Sequence, residues 1–136
     1  MARKALSWIL EYTSKLPNRE EKIKCLRAND TTSLRMILRY TFGNYKWLIP
    51  GGIPPYTPCE YPHQENNFYQ EVKRLYLFLE GGNNNLTQLK RESMFIELLQ
   101  SIDPGDARLL LAMKEHKLPY DGFDLGLVQE AFPDLF

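Results

Sequence analysis

The chain has 136 residues, 43% of them hydrophobic and 25% charged, with two cysteines and a formal net charge of zero. That length and balance suit one folded domain with its own core, and they exclude a disordered chain or a disulfide-stapled scaffold. The longest apolar runs, such as Leu75 to Leu79, fall far short of the roughly 20 residues a membrane span requires, and the basic start before Ala5 lacks a cleavage site, so the expected setting is a cytoplasm with no membrane partner.

The first predicted element runs from Ala2 to Leu16. Leu6, Ile9, Leu10 and Leu16 form one apolar face, Trp8 and Tyr12 lie one turn apart on an adjoining stripe, and Pro17 stops it. Asn18 caps a second helix, with Glu20 and Glu21 in the first turn, where the helix dipole favours acids. Thr31 or Thr32 caps a third, with Leu34, Ile37, Leu38 and Thr41 on one face, Arg35 and Arg39 on another, and Gly43 as its stop.

A connector over residues 44–65 follows, dense in proline from Pro50 to Pro62 and unable to be helical, because each proline removes a donor and drives its predecessor to extended geometry. It is apolar as well as stiff. A loop carrying Trp47, Leu48, Ile49, Ile53, Tyr56 and Tyr61 either folds back onto its own domain or offers these groups to a partner.

Beyond it, Asn66 or Asn67 starts the clearest helix, with Phe68, Val72, Leu75, Tyr76 and Leu79 at the 3.6-residue period and Gly81-Gly82 as its end. The Asn83-Asn84-Asn85 turn leads into another helix over Leu86 to Ile102. Asp103-Pro104 restarts the chain as a cap and first helical residue, and that helix runs to about Lys117. A short final helix over Leu125 to Ala131 precedes an apolar tail that packs back. No stretch alternates as a strand would. The expected fold is an all-α, compact irregular bundle of six to seven short helices with a Pro-rich central loop, built as one domain over residues 1–136 with basic helices at 2–43 and an acidic helical half at 66–136.

The zero net charge hides a split. Residues 1–50 hold ten Lys/Arg against four acids, a net of +6, and the remainder carries −6. Such asymmetry suits either an anionic partner or two halves that neutralise each other.

Signals for chemistry are weak. Cys59 and His63 are half of a metal site or of a nucleophile pair, and neither Cys25 nor His116 completes them at a recognised spacing. Gly51-Gly52 and Gly81-Gly82 lack the lysine and hydroxyl of a phosphate loop. No catalytic residue, metal, cofactor or small-molecule substrate is therefore expected. Binding is the stronger option, with Trp47, Tyr45, Ile53 and Tyr56 as apolar anchors and Arg35, Arg39 and Lys46 supplying charge to a protein partner. The alternative is a nucleic-acid surface built from Lys15, Arg19, Lys22, Arg27, Arg35 and Arg39, although a pI of about 6.7 is low for such a binder.

In the strings Lys46-Trp47-Leu48-Ile49-Pro50, Pro54-Pro55-Tyr56-Thr57-Pro58, Leu75-Tyr76-Leu77-Phe78-Leu79-Glu80-Gly81-Gly82 and Leu109-Leu110-Leu111-Ala112-Met113-Lys114, the chain resembles a family of small uncharacterised proteins of T4-like tailed phages, especially cyanophages. The resemblance implies a phage origin, action in the host cell cytoplasm or in the virion, and a host or phage protein complex as partner. It carries over no functional residue.

Overall fold

Among the described residues, five helices begin on a side-chain cap of their own, and those caps set the element boundaries. In the computed structural model, which describes residues 4–49, 55–59 and 67–135, the order is α1 (Leu6–Ser14), α2 (Arg19–Ala28), α3 (Thr32–Phe42), α4 (Asn67–Glu71), a 3-10 helix (Val72–Phe78), α5 (Gln88–Ser101), α6 (Pro104–Met113) and α7 (Leu125–Ala131). Asn18, Thr31, Thr87, Asp103 and Asp124 each accept from a backbone N–H in the first turn of α2, α3, α5, α6 and α7. The all-α expectation holds among the described residues. The sole extended pairing there is a one-residue antiparallel bridge between Trp47 and Leu79.

α1 has no cap of its own, since Ala5 precedes it. Asp106, fully buried in the first turn of α6, takes that role from 99 residues away by accepting from the Ser7 N–H at 2.9 Å. One carboxylate thus answers the positive ends of two helices, which offsets much of the cost of burying it. The close approach depends on Gly105, where a Cβ would sit 2.8 Å from Ser7 Oγ.

The apolar positions close into one core. α6 is its axle, touching α1, α3 and α5, while α2 lies against α1 and α7. Leu6 and Leu10 of α1, Leu34, Ile37 and Leu38 of α3, Phe95 and Leu99 of α5, and Leu110 and Met113 of α6 are sealed from solvent. Phe78 and Phe95 meet edge to face at 5.2 Å. The C-terminal tail packs back as expected, with Phe132 and Leu135 buried.

Three elements differ from what their local sequence predicts. α1 begins at Leu6, not Ala2, with Ala5 non-helical before it. α6 ends at Met113, not Lys117, because His116 turns to φ 60 and its ring Nδ1 lies 3.2 Å from the Thr41 carbonyl. A carbonyl only accepts, so Nδ1 carries the proton in that contact. The long α-helix expected after Asn66 is instead one α turn followed by seven residues of 3-10 helix. That segment is anchored at both ends by bonds the sequence could not announce.

Candidate interaction surface

The connector was expected to present its rings outward, and at Trp47 the structure corrects this. Trp47 is 8% exposed and Ile49 equally covered. The Trp47 Nε1–H donates to the Tyr40 carbonyl at 3.1 Å, one of the carbonyls left over at the C-terminal end of α3. Around the bridge to Leu79, the Leu48 N–H donates to the Phe78 carbonyl at 2.8 Å and the Glu80 N–H to the Lys46 carbonyl at 2.9 Å. The ring therefore plugs one end of the core, and its single polar group is satisfied there. Tyr45 is half-buried, edge-on to Tyr40 at 5.1 Å with the Arg39 guanidinium 6.0 Å over its ring. Tyr56 is partly covered and leans on the core, while the Thr57 N–H donates to Gln100 Oε1 at 3.1 Å, tying residues 55–59 of the connector to α5. Ile53 and His63 lie outside the described residues.

The cations expected to line a nucleic-acid surface are spent mostly within the chain. Arg19 pairs with Glu130 at 3.2 Å. Arg27 donates to the Ala131 and Glu130 carbonyls at 3.1 and 2.8 Å, capping the C-terminal end of α7. Arg35 grips Asp30 at 2.6 Å and Asp134 at 3.2 Å, with its guanidinium 4.8 Å over the Phe132 ring. Its hydrogen bond to Asp30 holds that carboxyl below the usual carboxylate range, and the same two acids push the guanidinium pKa higher still. Lys22 lies so close over Gly122 that a Cβ there would collide with its ammonium. Lys15 sits 3.6 Å from Glu11, and Lys46 is 4.0 Å from Glu80. The basic first half and the acidic second half thus meet each other.

Two features had no functional role assigned from the sequence. Trp8 and Tyr12 on α1 are 45% and 50% exposed, yet stack on one another with centroids 5.3 Å apart and planes 10° apart. The Lys4 ammonium stands 5.0 Å over the Trp8 ring, and the ring separates two shallow grooves of about 260 and 300 Å3, one running to Arg108 and Asp103, the other to Asn29, Asp30 and Tyr69. Helical spacing puts Trp8 and Tyr12 beside each other. What it cannot say is which side of α1 is covered.

The second is Arg91, 6% exposed, whose Nε donates to the Leu77 carbonyl at 3.1 Å, Nη1 to Gln88 Oε1 at 2.7 Å and Nη2 to the Leu86 carbonyl at 3.2 Å. Its fork fixes the turn between the 3-10 helix and α5. Deeper in the α1–α6 junction, burial pushes the Tyr120 hydroxyl above its usual pKa, and the Glu11 and Asp106 charges add to that. Among the described residues no three His, Cys, Asp or Glu side chains gather as a metal set, and no helix is long and apolar enough to cross a membrane.

A family model described as "Family of unknown function (DUF6433)" matches residues 9–120, which is most of the chain. The chain belongs to that family. The match spans α2 through α6 and most of α1, so Tyr12, Trp47 and Arg91 fall inside it, while Trp8 and α7 lie beyond its ends. No curated protein and no solved structure matches the chain.

Proposed function

We propose that this protein is a non-enzymatic interaction module that binds another protein through the Trp8–Tyr12 face of α1. The carrying observation is the pair itself: two large rings, about half exposed, stacked on a helix whose other side is locked into the core. Aromatic side chains with few rotatable bonds are the usual centres of binding energy, since they bury much area at little cost in ordering. Lys4 at one end and Lys15 at the other suit a partner whose apolar patch is edged by carboxylates. The exposed Arg39 and Lys46, on either side of the half-covered Tyr45, form a second contact region, which retains part of the connector's expected role. The likeness to phage proteins supports a host or phage complex in the infected cell as the partner. Nucleic acid fits less well, because Arg19, Arg27 and Arg35 are engaged with α7 and the chain's C-terminal tail.

The test is capture from host lysate by the full chain beside Trp8→Ala and Tyr12→Ala, followed by calorimetry with the purified partner. Loss of one or both rings should weaken binding by at least tenfold, about 1.4 kcal/mol, with folding intact by circular dichroism. Unchanged capture by both variants refutes the surface. Binding to DNA or RNA that falls steeply between low and moderate salt would replace the protein partner with a polyanion.

A further inference from the structure

Nothing in the sequence of residues 67–80 calls for a 3-10 helix. The stretch contains no proline or glycine, is rich in good α formers, and carries its apolar residues at the α period. The backbone nevertheless leaves the α form after Glu71 and stays 3-10 for seven residues, whereas runs beyond three or four are uncommon. What distinguishes the stretch is that both ends are tied. At the near end, Ser33 Oγ donates to the Tyr69 carbonyl at 2.8 Å and the Tyr69 hydroxyl to the Lys4 carbonyl at 2.8 Å. At the far end, the Leu77 carbonyl accepts from Arg91 and the Phe78 carbonyl from the Leu48 N–H. A 3-10 helix rises about 2.0 Å per residue against about 1.5 Å for an α-helix, so seven residues span roughly 14 Å in one form and 10.5 Å in the other.

We infer that Val72–Phe78 is a two-state strap, held at 3-10 pitch by the Arg91 clamp and rewinding to α-helix when that clamp opens. Rewinding shortens the strap by about 3.5 Å from the same difference in rise. The shortening draws Phe78 and Leu79 off Leu48 and Trp47, so the plug at the end of the core loosens. It also reshapes the groove of about 230 Å3 that Arg74, Leu77 and Phe78 form with Met94 and Leu98 of α5. The strap thereby links that groove to the proline-rich connector, independently of the α1 surface.

The experiment uses the full chain carrying Trp8→Phe, so that Trp47 is the only tryptophan and can be excited selectively on the red edge of tyrosine absorption. Wild-type Arg91 should give i,i+2 backbone contacts across 72–78 by NMR. Arg91→Met, which keeps the stem and removes the fork, should replace them with i,i+4 contacts, raise the helical signal at 222 nm, and shift Trp47 emission to the red. Should Arg91→Met not fold, Ser33→Ala opens the opposite tie and should give the same i,i+4 contacts and helical signal, with Trp47 emission unchanged because the Arg91 end stays fixed. A folded Arg91→Met protein with 3-10 contacts and Trp47 emission unchanged overturns the proposal. Failure of both variants to fold overturns it too, since the ties would then hold the fold itself and leave no second state.

Discussion

At the scale of single residues, burial decides what the two tryptophans do. Trp47 gives its ring to the core and its N–H to the Tyr40 carbonyl, so Trp47→Ala leaves both a cavity and an unmet acceptor. Truncating a buried aromatic costs about 3–5 kcal/mol, and chemical denaturation should report a loss of that size. Trp8→Ala should cost under about 1 kcal/mol and act on binding instead. Asp106 carries a comparable structural burden, because removing it strands the Ser7 N–H at the start of α1; Asp106→Ala should destabilise by roughly 2–3 kcal/mol, measured the same way. Alongside Tyr40, whose pKa burial also raises, Tyr120 weakens the fold at alkaline pH. Its hydroxyl titrates above its ordinary 10.0 in the folded chain, so the unfolded chain loses that proton first as pH rises. Stability from this group is complete below pH 10 and falls above it. Melting curves from pH 8 upward should show that decline, and Tyr120→Phe should lessen it, leaving the part that belongs to Tyr40.

At the scale of elements, capping explains both what the sequence revealed and what it concealed. Asn18, Thr31 and Asp103 are local caps, legible because donor and acceptor lie within three residues. The start of α1 and the C-terminal ends of α3 and α7 are instead served from far along the chain: Asp106 for the first, Trp47 and His116 for the second, Arg27 for the third. Such long-range caps have no spacing to read. The Arg27 bonds make α7 dependent on α2, so Arg27→Ala should cost about 1–2 kcal/mol. Hydrogen exchange should show residues 125–131 opening faster while α5 and α6 stay protected. The 3-10 segment obeys the same logic, since its periodicity is local and its pitch is set by distant ties.

At the scale of the whole molecule, the charge split resolves as intramolecular pairing, through Arg19 to Glu130 and Arg35 to Asp134. These pairs reach the solvent, and exposed pairs contribute only about 0–1 kcal/mol each, so they orient α2 against α7 and α3 against the C-terminal tail more than they stabilise either. Cohesion comes from the single apolar core, to which α1 through α7, the 3-10 helix and the connector all contribute. Unfolding should accordingly be one cooperative transition, with circular dichroism and Trp47 fluorescence coinciding in urea; two separated midpoints would contradict a shared core.

The amino-acid sequence determined the helices, most of their starting caps, the non-helical connector and the apolar tail, because propensity, capping and periodicity act over a few residues. It marked Trp8 and Tyr12 as neighbours and Trp47 as an apolar ring in a stiff loop, but not which of them meets water. Only the tertiary structure decided that, since exposure depends on what covers a face and the covering atoms come from segments far along the chain.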